Sequence, residues 1–443
     1  MLEQIKQLFD ESTDLFTETL DNGYWPMEIA YFPAMCDERI KDGILIPYSY
    51  RFDPDEFRRM LHSNPKYERA DNPDEWPNLL LKGYALIKLE ETCYSFKSDR
   101  TLYTQPDETQ LESSLQGPQS AFTEDLELNA YLLRKRYNVP TLSVEPYEKG
   151  SLSRTAIFVV YDRKLVNPSV LELLRKRLDK VNIELLQSTG QLIKELTDKN
   201  HLFFPTLLQS ERPDKVAVML SRGKVAVLIN GSRFALLLPV RLFDFMHAMD
   251  DDYESFWISR FLIVMRYVAV LLTIVLPAAY IGIVSYNPEI FRIQLAFTID
   301  GSRAGVPYPS FIEVFIMLFM IEALIEASIR LPKSVGSAAT TVGGLILGQA
   351  AQQAGLVSSI MIIVTSVVAI SNYVIPNHTF SQAIRLMKYW FILISMIYGV
   401  SGIAVLFFAL IVYLCHLRSF GEPYLAFYGG QNDQKPQSAQ RKS

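Results

Sequence analysis

Apolar residues are segregated along this chain, and that constrains the fold more than any other feature. Charged residues are dense from Met1 to Arg260 and sparse from Phe261 to Leu417, where long apolar runs replace them. A globular domain does not sort its residues this way. A soluble half followed by membrane helices does. The averages conceal the split: the net charge of -5 is unremarkable and argues against a nucleic-acid partner.

The first residues carry no basic segment ahead of an apolar core, so no cleavable signal peptide is expected and the soluble half is expected to stay cytosolic. Cys36, Cys93 and Cys415 are far apart and form no CxxC pair, which fits reduced thiols. The five histidines show no metal-ligand spacing. Neither GxGxxG nor GxxxxGK[ST] occurs, no nucleophile motif is found, and no cofactor is expected.

The soluble half reads as a duplicated unit. Residues 83–96 and 223–238 each form a strand–turn–strand pattern, with turns at Glu90-Glu91 and Asn230-Gly231, and with Gly83 and Gly223 seven residues before the turn. Asn-Gly signals a tight two-residue hairpin with φ > 0 at both positions. A further strand precedes each hairpin, at 27–32 and 155–161. Asn167-Pro168 then starts a helix with Val170, Leu171, Leu174 and Leu178 on one face. Two unrelated α/β pieces are the alternative. The segment 53–76 reads as an exposed polar insertion, and 98–119 as a linker. The expected organisation is subdomain 1 at 1–105, a linker at 106–119, subdomain 2 at 120–250, a helical membrane domain at 251–420, and a polar tail at 421–443.

A hydrocarbon core takes about 20 residues of helix. Candidate spans are 267–286 (containing Pro277), 309–329, 356–375 and 389–414, the last with Gly399 and Gly402 near its middle. The stretch 336–355 is built of small residues, with Gly343, Gly344, Gly348 and Gly355 suited to close helix packing and Gln349, Gln352 and Gln353 at one end. It reads either as a tightly packed span or as a re-entrant segment lining a cavity. The fold class is therefore tandem α/β soluble subdomains followed by an α-helical transmembrane domain of four or five spans, one of them a candidate re-entrant segment. Four spans return the basic tail to the cytosol. Five place Arg385 and Lys388 inside.

Glu313, Glu322 and Glu326 fall within one candidate span, where each carboxylate costs about 2.5–3.5 kcal/mol. Glu322 and Glu326 share a face. That face can line an aqueous path for cations, together with Gln349, Gln352 and Gln353. Alternatively the helix lies at the interface, or Glu326 pairs with Arg330. Arg266 is expected to snorkel to the headgroups.

Several ordered blocks resemble the A subunit of bacterial spore germinant receptors, the GerA-type spore germination protein family. They include Gly117-Pro118, Asn129 with Arg134, Glu211-Arg212-Pro213-Asp214, and Asn230-Gly231-Ser232. Further along come Asp251-Asp252-Tyr253, Leu276-Pro277 with Tyr280, Ser302-Arg303, Pro307-Tyr308-Pro309, and Glu322-Ala323 with Glu326-Ala327. Gly343-Gly344, Gly348-Gln349-Ala350-Ala351, Ala354-Gly355 and Ser419-Phe420-Gly421 complete the set. The likeness covers residues 115–427 well and 1–105 weakly. It departs from the family pattern at Ala304, Ile325, Gln352 and Glu422. The resemblance implies a non-enzymatic subunit of the inner spore membrane that works with a transporter-like B subunit and a lipoprotein C subunit. It also implies a homo-oligomeric ring, a pentamer, forming a ligand-gated channel for monovalent cations. A proton-coupled solute transporter and a membrane scaffold are the competing readings.

Overall fold

The computed structural model describes residues 1–9, 12–21, 25–36, 47, 50–63, 67–90, 92–97, 108–112, 114, 116–197, 203–290, 292–330 and 333–426. The residues 98–107 of the expected linker and 427–443 of the expected tail lie outside them.

The first subdomain runs through α1 (Leu2–Phe9), β1 (Phe16–Asp21), β2 (Pro26–Tyr31), α2 (Pro54–Ser63), β3 (Tyr67–Arg69), α3 (Trp76–Leu81), β4 (Tyr84–Leu89) and β5 (Thr92–Lys97). Its antiparallel sheet has the order β1-β2-β4-β5-β3. The second contains α4 (Leu126–Arg136), β6 (Leu142–Lys149), β7 (Thr155–Asp162), α5 (Pro168–Lys180), α6 (Thr189–Leu196), β8 (Leu208–Ser210), α7 (Pro213–Ser221), β9 (Val225–Ile229) and β10 (Ala235–Leu238). Its sheet order is β6-β7-β9-β10-β8. Numbered within each unit, both orders are 1-2-4-5-3, so the duplication is one of topology. The paired glycines play one role. Gly83 and Gly223, at φ 81° and 79°, end α3 and α7 and turn the chain into the fourth strand of each sheet. Their amides donate to Leu80 and Leu220 carbonyls at 3.0 and 2.9 Å.

The α5 helix begins as its sequence indicates. Asn167 Oδ1 accepts the Ser169 amide at 3.1 Å, Pro168 takes the first turn, and Val170, Leu171, Leu174 and Leu178 are buried. Three expectations for the soluble half are corrected. The segment 53–76 belongs to the first subdomain: Phe57 and Leu61 are buried in its core, and β3 pairs with β5. The Asn230-Gly231 turn is wider than two residues, because Leu236 pairs with Val227 and only Gly231 of the two takes a positive φ. Tertiary bonds hold it open, from the Asn230 amide to Ala156 O (3.0 Å) and from the Gly231 amide to Glu124 O (2.8 Å). The described part of the linker is docked. Glu211 Oε1 accepts the successive amides of Gln110, Leu111 and Glu112 at 2.7, 2.6 and 2.9 Å. That charge-assisted grip fixes the segment to subdomain 2.

The subdomains are tied through α4. Arg134 is buried there and forms an ion pair with Asp14 of the first subdomain (Nη2 to Oδ1, 2.8 Å), stacks over Phe32 at 4.3 Å and donates to Leu142 O at 3.2 Å.

Beyond the short α8 (Leu242–Met246), the helical half contains α9 (Phe256–Tyr286), α10 (Ile293–Arg303), α11 (Ser310–Arg330), α12 (Lys333–Gln353), α13 (Ser359–Tyr373) and α14 (His378–His416). Among the described residues, α9 and α14 are long and apolar enough to cross a membrane. The candidate re-entrant stretch is a continuous helix, α12. The expected span 389–414 is a helical hairpin. Gly399 has φ 62° and ψ -146°, which breaks α14 into limbs 378–398 and 400–416. Their lengths are roughly 31 and 26 Å. Trp390 and Tyr413, one on each limb, both lie 6.4 Å from the Phe203 ring, which a straight helix excludes. A Cβ on Gly402 would stand 2.8 Å from Ile394, so glycine permits the limbs to meet.

Among the described residues the chain runs along the helical bundle six times. α9 leads away from subdomain 2, α11 returns, α12 leads away, α13 returns, and the two limbs of α14 go out and back. The near end is fixed by Phe380, which stacks on Phe245 at 5.4 Å and lies 5.9 Å from Phe204 of subdomain 2. After the last limb, β11 (Arg418–Ser419) and β12 (Glu422–Pro423) return to subdomain 2. Ser419 Oγ donates to Thr206 O (2.7 Å), and the Leu242 amide donates to Tyr424 O (3.0 Å). The soluble half and the end of the last helix lie at one end of the bundle.

Candidate functional site

Where subdomain 2 meets the helices, charged side chains converge on a cavity of about 460 Å³. Its subdomain wall includes Glu112, Arg212, Lys215 and Asp250, and its helix wall includes Asn372, Ser381 and Arg385. The motif Glu211–Asp214 builds the first wall. Arg212 forks onto Asp214 with bonds of 3.1 and 2.6 Å, and Lys215 pairs with Glu112 at 2.6 Å. Tyr253 OH reaches Asp214 at 3.5 Å, and partial desolvation together with that carboxylate raises its pKa. Gly117 sits so close to Tyr253 that a Cβ would fall 2.6 Å from the ring. Sequence blocks more than a hundred residues apart thus form one contact.

Arg266 corrects an expectation. Its guanidinium does not reach for headgroups: it is buried, donates to Met246 O at 3.1 Å, and pairs with Asp251, whose carboxylate also accepts the Ala248 amide at 2.9 Å. The pair locks α9 to the base of subdomain 2.

The three glutamates fall in three environments. Glu322 faces the outward limb of α14, where Arg385 pairs with it and Lys388 Nζ lies 3.1 Å away. One carboxylate thus stands between two cations. Glu326 is exposed and pairs with Arg330 at 2.7 Å, the i+4 partnership its spacing allows. Glu313 is fully buried at the opposite end of the bundle. Its carboxylate accepts the Ser358 amide (2.6 Å) and Tyr280 OH (3.2 Å), with Arg303 Nε at 3.5 Å. It ties α9, the end of α10, α11 and the start of α13. None of the three presents a bare carboxylate within the chain, and Glu322 and Glu326 pair with different cations. Arg385, Lys388, Arg303 and Ser358 were not singled out as site residues by the sequence. The available signal was two cations, Arg385 and Lys388, ahead of an otherwise apolar run.

Gln349, Gln352 and Gln353 are exposed at the far end of α12 and are not brought to Glu322. The glycines divide by role. Gly343 and Gly344 pack α12 on α11, where their Cβ positions would stand 3.2 and 3.3 Å from Leu324. Gly355, at φ +66°, turns the chain against the Gly305 carbonyl. Gly348 has open space around it.

A duplicated α/β head locked by a buried ion pair to an apolar helical bundle, with two helices long and apolar enough to cross a membrane, is the build of a membrane-associated protein. The chain belongs to the Bacillus/Clostridium GerA spore germination protein family, whose model matches residues 3–440. Spore germination protein B1 of Bacillus subtilis (strain 168) is 37% identical over 320 residues, 72% of this chain and 66% of that protein. Spore germination protein GerQA of Bacillus cereus is 29% identical over 430 residues, 96% of this chain and 86% of that protein. The crystal structure of the N-terminal domain of the A subunit of the Bacillus megaterium spore germinant receptor GerK3 covers 54% of this chain and 92% of its own, with 24% identity and a TM-score of 0.40. The matches to spore germination proteins B1, GerLA and KA span 66%, 64% and 59% of those proteins, just under two thirds of their length.

Proposed function

We propose that the chain is the A-type subunit of a nutrient germinant receptor, and that copies of it form a ring, a pentamer, around a gated path for monovalent cations. In this reading a transporter-like B subunit and a lipoprotein C subunit complete the receptor in the inner spore membrane, with the soluble half on the cytosolic side. The even number of helical passes is consistent with that sidedness.

One observation carries the ion-path reading. Gln349, Gln352 and Gln353 share one exposed face of α12, at spacings of three and four. An amide left in hydrocarbon without a partner costs several kcal/mol. Such a face suits water or a neighbouring subunit, and a ring can turn it toward a common axis. Open space at Gly348 leaves room for the approach of a second helix. The glutamates then act as ties between helices, and the glutamine face is the candidate lining. Germinant sensed by a partner would favour the open ring only through contacts that differ between its two states.

The test is potassium release from spores after a nutrient mixture is added, comparing wild type with Gln349→Leu/Gln353→Leu at matched membrane levels. Release slowed severalfold with assembly intact supports the path. Unchanged release removes α12 from it and favours the scaffold reading.

A further inference from the structure

The cavity between subdomain 2 and the helices takes no part in the ion path proposed above, and its two walls differ in charge. The helix wall, built from α11, the end of α13 and the start of α14, contributes no carboxylate to the lining among the described residues. Its cation, Arg385, shares the single carboxylate of Glu322 with Lys388, so that side holds one positive charge more than Glu322 neutralises. Asn372 adds a donor: its Oδ1 accepts Ser381 Oγ at 3.0 Å, and its Nδ2 makes no hydrogen bond among the described residues. On the opposite wall Arg212 and Lys215 are matched by Asp214 and Glu112. Asp250 is left over: it accepts the Ser114 hydroxyl and pairs with no cation among the described residues.

A surplus cation on one wall and an unmatched carboxylate on the other suit a zwitterion, its anionic oxygens on Arg385 and Asn372 and its ammonium on Asp250. The position suits a lipid. The soluble half ends at this cavity and the apolar bundle begins, which is headgroup level for a bundle lying in a membrane. Tyr373 lines the cavity and is 65% exposed, as an aromatic at a membrane interface is. Ile370 and Ile363, 65% and 63% exposed at successive spacings of three and seven, continue an apolar stripe from it along α13. An acyl chain can lie on that stripe, and a free solute has no use for it.

We propose that this cavity binds the headgroup of phosphatidylethanolamine from the adjoining leaflet, the phosphodiester held by Arg385 and the primary ammonium by Asp250. The lipid then bridges subdomain 2 and α14. The site rests on the bundle lying in a membrane and not on the path along α12.

The full chain in dodecyl maltoside is titrated with phosphatidylethanolamine and, separately, with phosphatidylcholine, and one-lipid adducts are followed by native mass spectrometry. Phosphatidylethanolamine should bind saturably and at least about tenfold tighter than phosphatidylcholine, whose trimethylammonium has no N–H for Asp250. Asp250→Asn keeps an acceptor for Ser114 and should abolish that preference. Arg385→Gln leaves Glu322 paired with Lys388 and should weaken both lipids by about tenfold or more. Arg330→Gln, which removes an exposed cation at the same end of the bundle, should change neither. Melting without added lipid verifies that the variants fold, and if Arg385→Gln does not, the Asp250→Asn comparison decides alone. Absence of saturable phosphatidylethanolamine binding overturns the proposal, as does equal affinity for the two lipids in wild type or a preference that survives Asp250→Asn. Soluble glycerophosphoethanolamine binding as tightly as the whole lipid also overturns it, because the occupant is then a free zwitterion.

Discussion

Tyr286 closes over Gly399. The Tyr286 hydroxyl donates to the carbonyls of Met396 (2.5 Å) and Ile397 (3.3 Å), the last of the outward limb of α14. A Cβ on Gly399 would stand 3.0 Å from the Tyr286 side chain. The end of α9 thus caps carbonyls that the reversal leaves without helical partners. Gly399→Ala forces a side chain into backbone reserved for glycine and should cost about 1–3 kcal/mol or more. Tyr286→Phe removes only the hydrogen bonds and should cost about 1 kcal/mol. Thermal unfolding in detergent should rank the two in that order.

The Arg266–Asp251 pair is buried, with the Asp251 carboxylate wholly enclosed. Asp251→Asn leaves an uncompensated guanidinium at the head of α9 and should destabilise the chain by about 3–5 kcal/mol. The lower melting temperature should appear together with increased protease cleavage between subdomain 2 and α9. If α9 stays as protected as in wild type, the pair is not the lock between the two halves.

Glu322 separates a tie from a pore charge. Glu322→Gln leaves Lys388 buried beside Arg385 with no anion, and should lower the folded amount in the membrane by about 3 kcal/mol of stability. Glu322→Gln/Lys388→Met should recover most of that loss. If Glu322→Gln instead alters potassium release at full membrane level, and Lys388→Met does not rescue it, the carboxylate faces ions.

A pH effect is expected in subdomain 2. Burial pushes the Glu145 carboxyl up, but hydrogen bonds from Arg175 and Tyr161 outweigh it and hold the pKa below the ordinary carboxylate value. A carboxyl depressed on folding stabilises the protein above its unfolded pKa of about 4.3, and that contribution is lost as pH falls through the lower folded value. Melting temperature should therefore fall with acid below about pH 4.3. Glu145→Gln should flatten that part of the curve, and an unchanged slope assigns the acid limb to other carboxyls.

Much of the soluble half was readable because its signals are local. The cap and proline at Asn167-Pro168 and the four-residue apolar face of α5 operate within one helix. The matched glycines at 83 and 223 mark the same turn in both units. Local signals failed where distant chain intervened. The polar segment 53–76 hid Phe57 and Leu61, whose burial depends on β5. The Asn-Gly turn was widened by bonds to Glu124 and Ala156. Glycines in 336–355 were legible as small, but which ones pack on Leu324 depends on how α11 lies against α12.

By itself the sequence determined the division into a duplicated α/β half and an apolar helical half, because periodicity, capping and hydropathy act over a few residues. Tertiary structure decided that the last long apolar run reverses at Gly399, that Arg266 is buried, and that Glu322 answers to cations 63 and 66 residues away. The physical reason is the same in each case. A glycine's φ, the partner of a buried charge and the exposure of an amide depend on which elements come together, and that is fixed only when the bundle packs on its head.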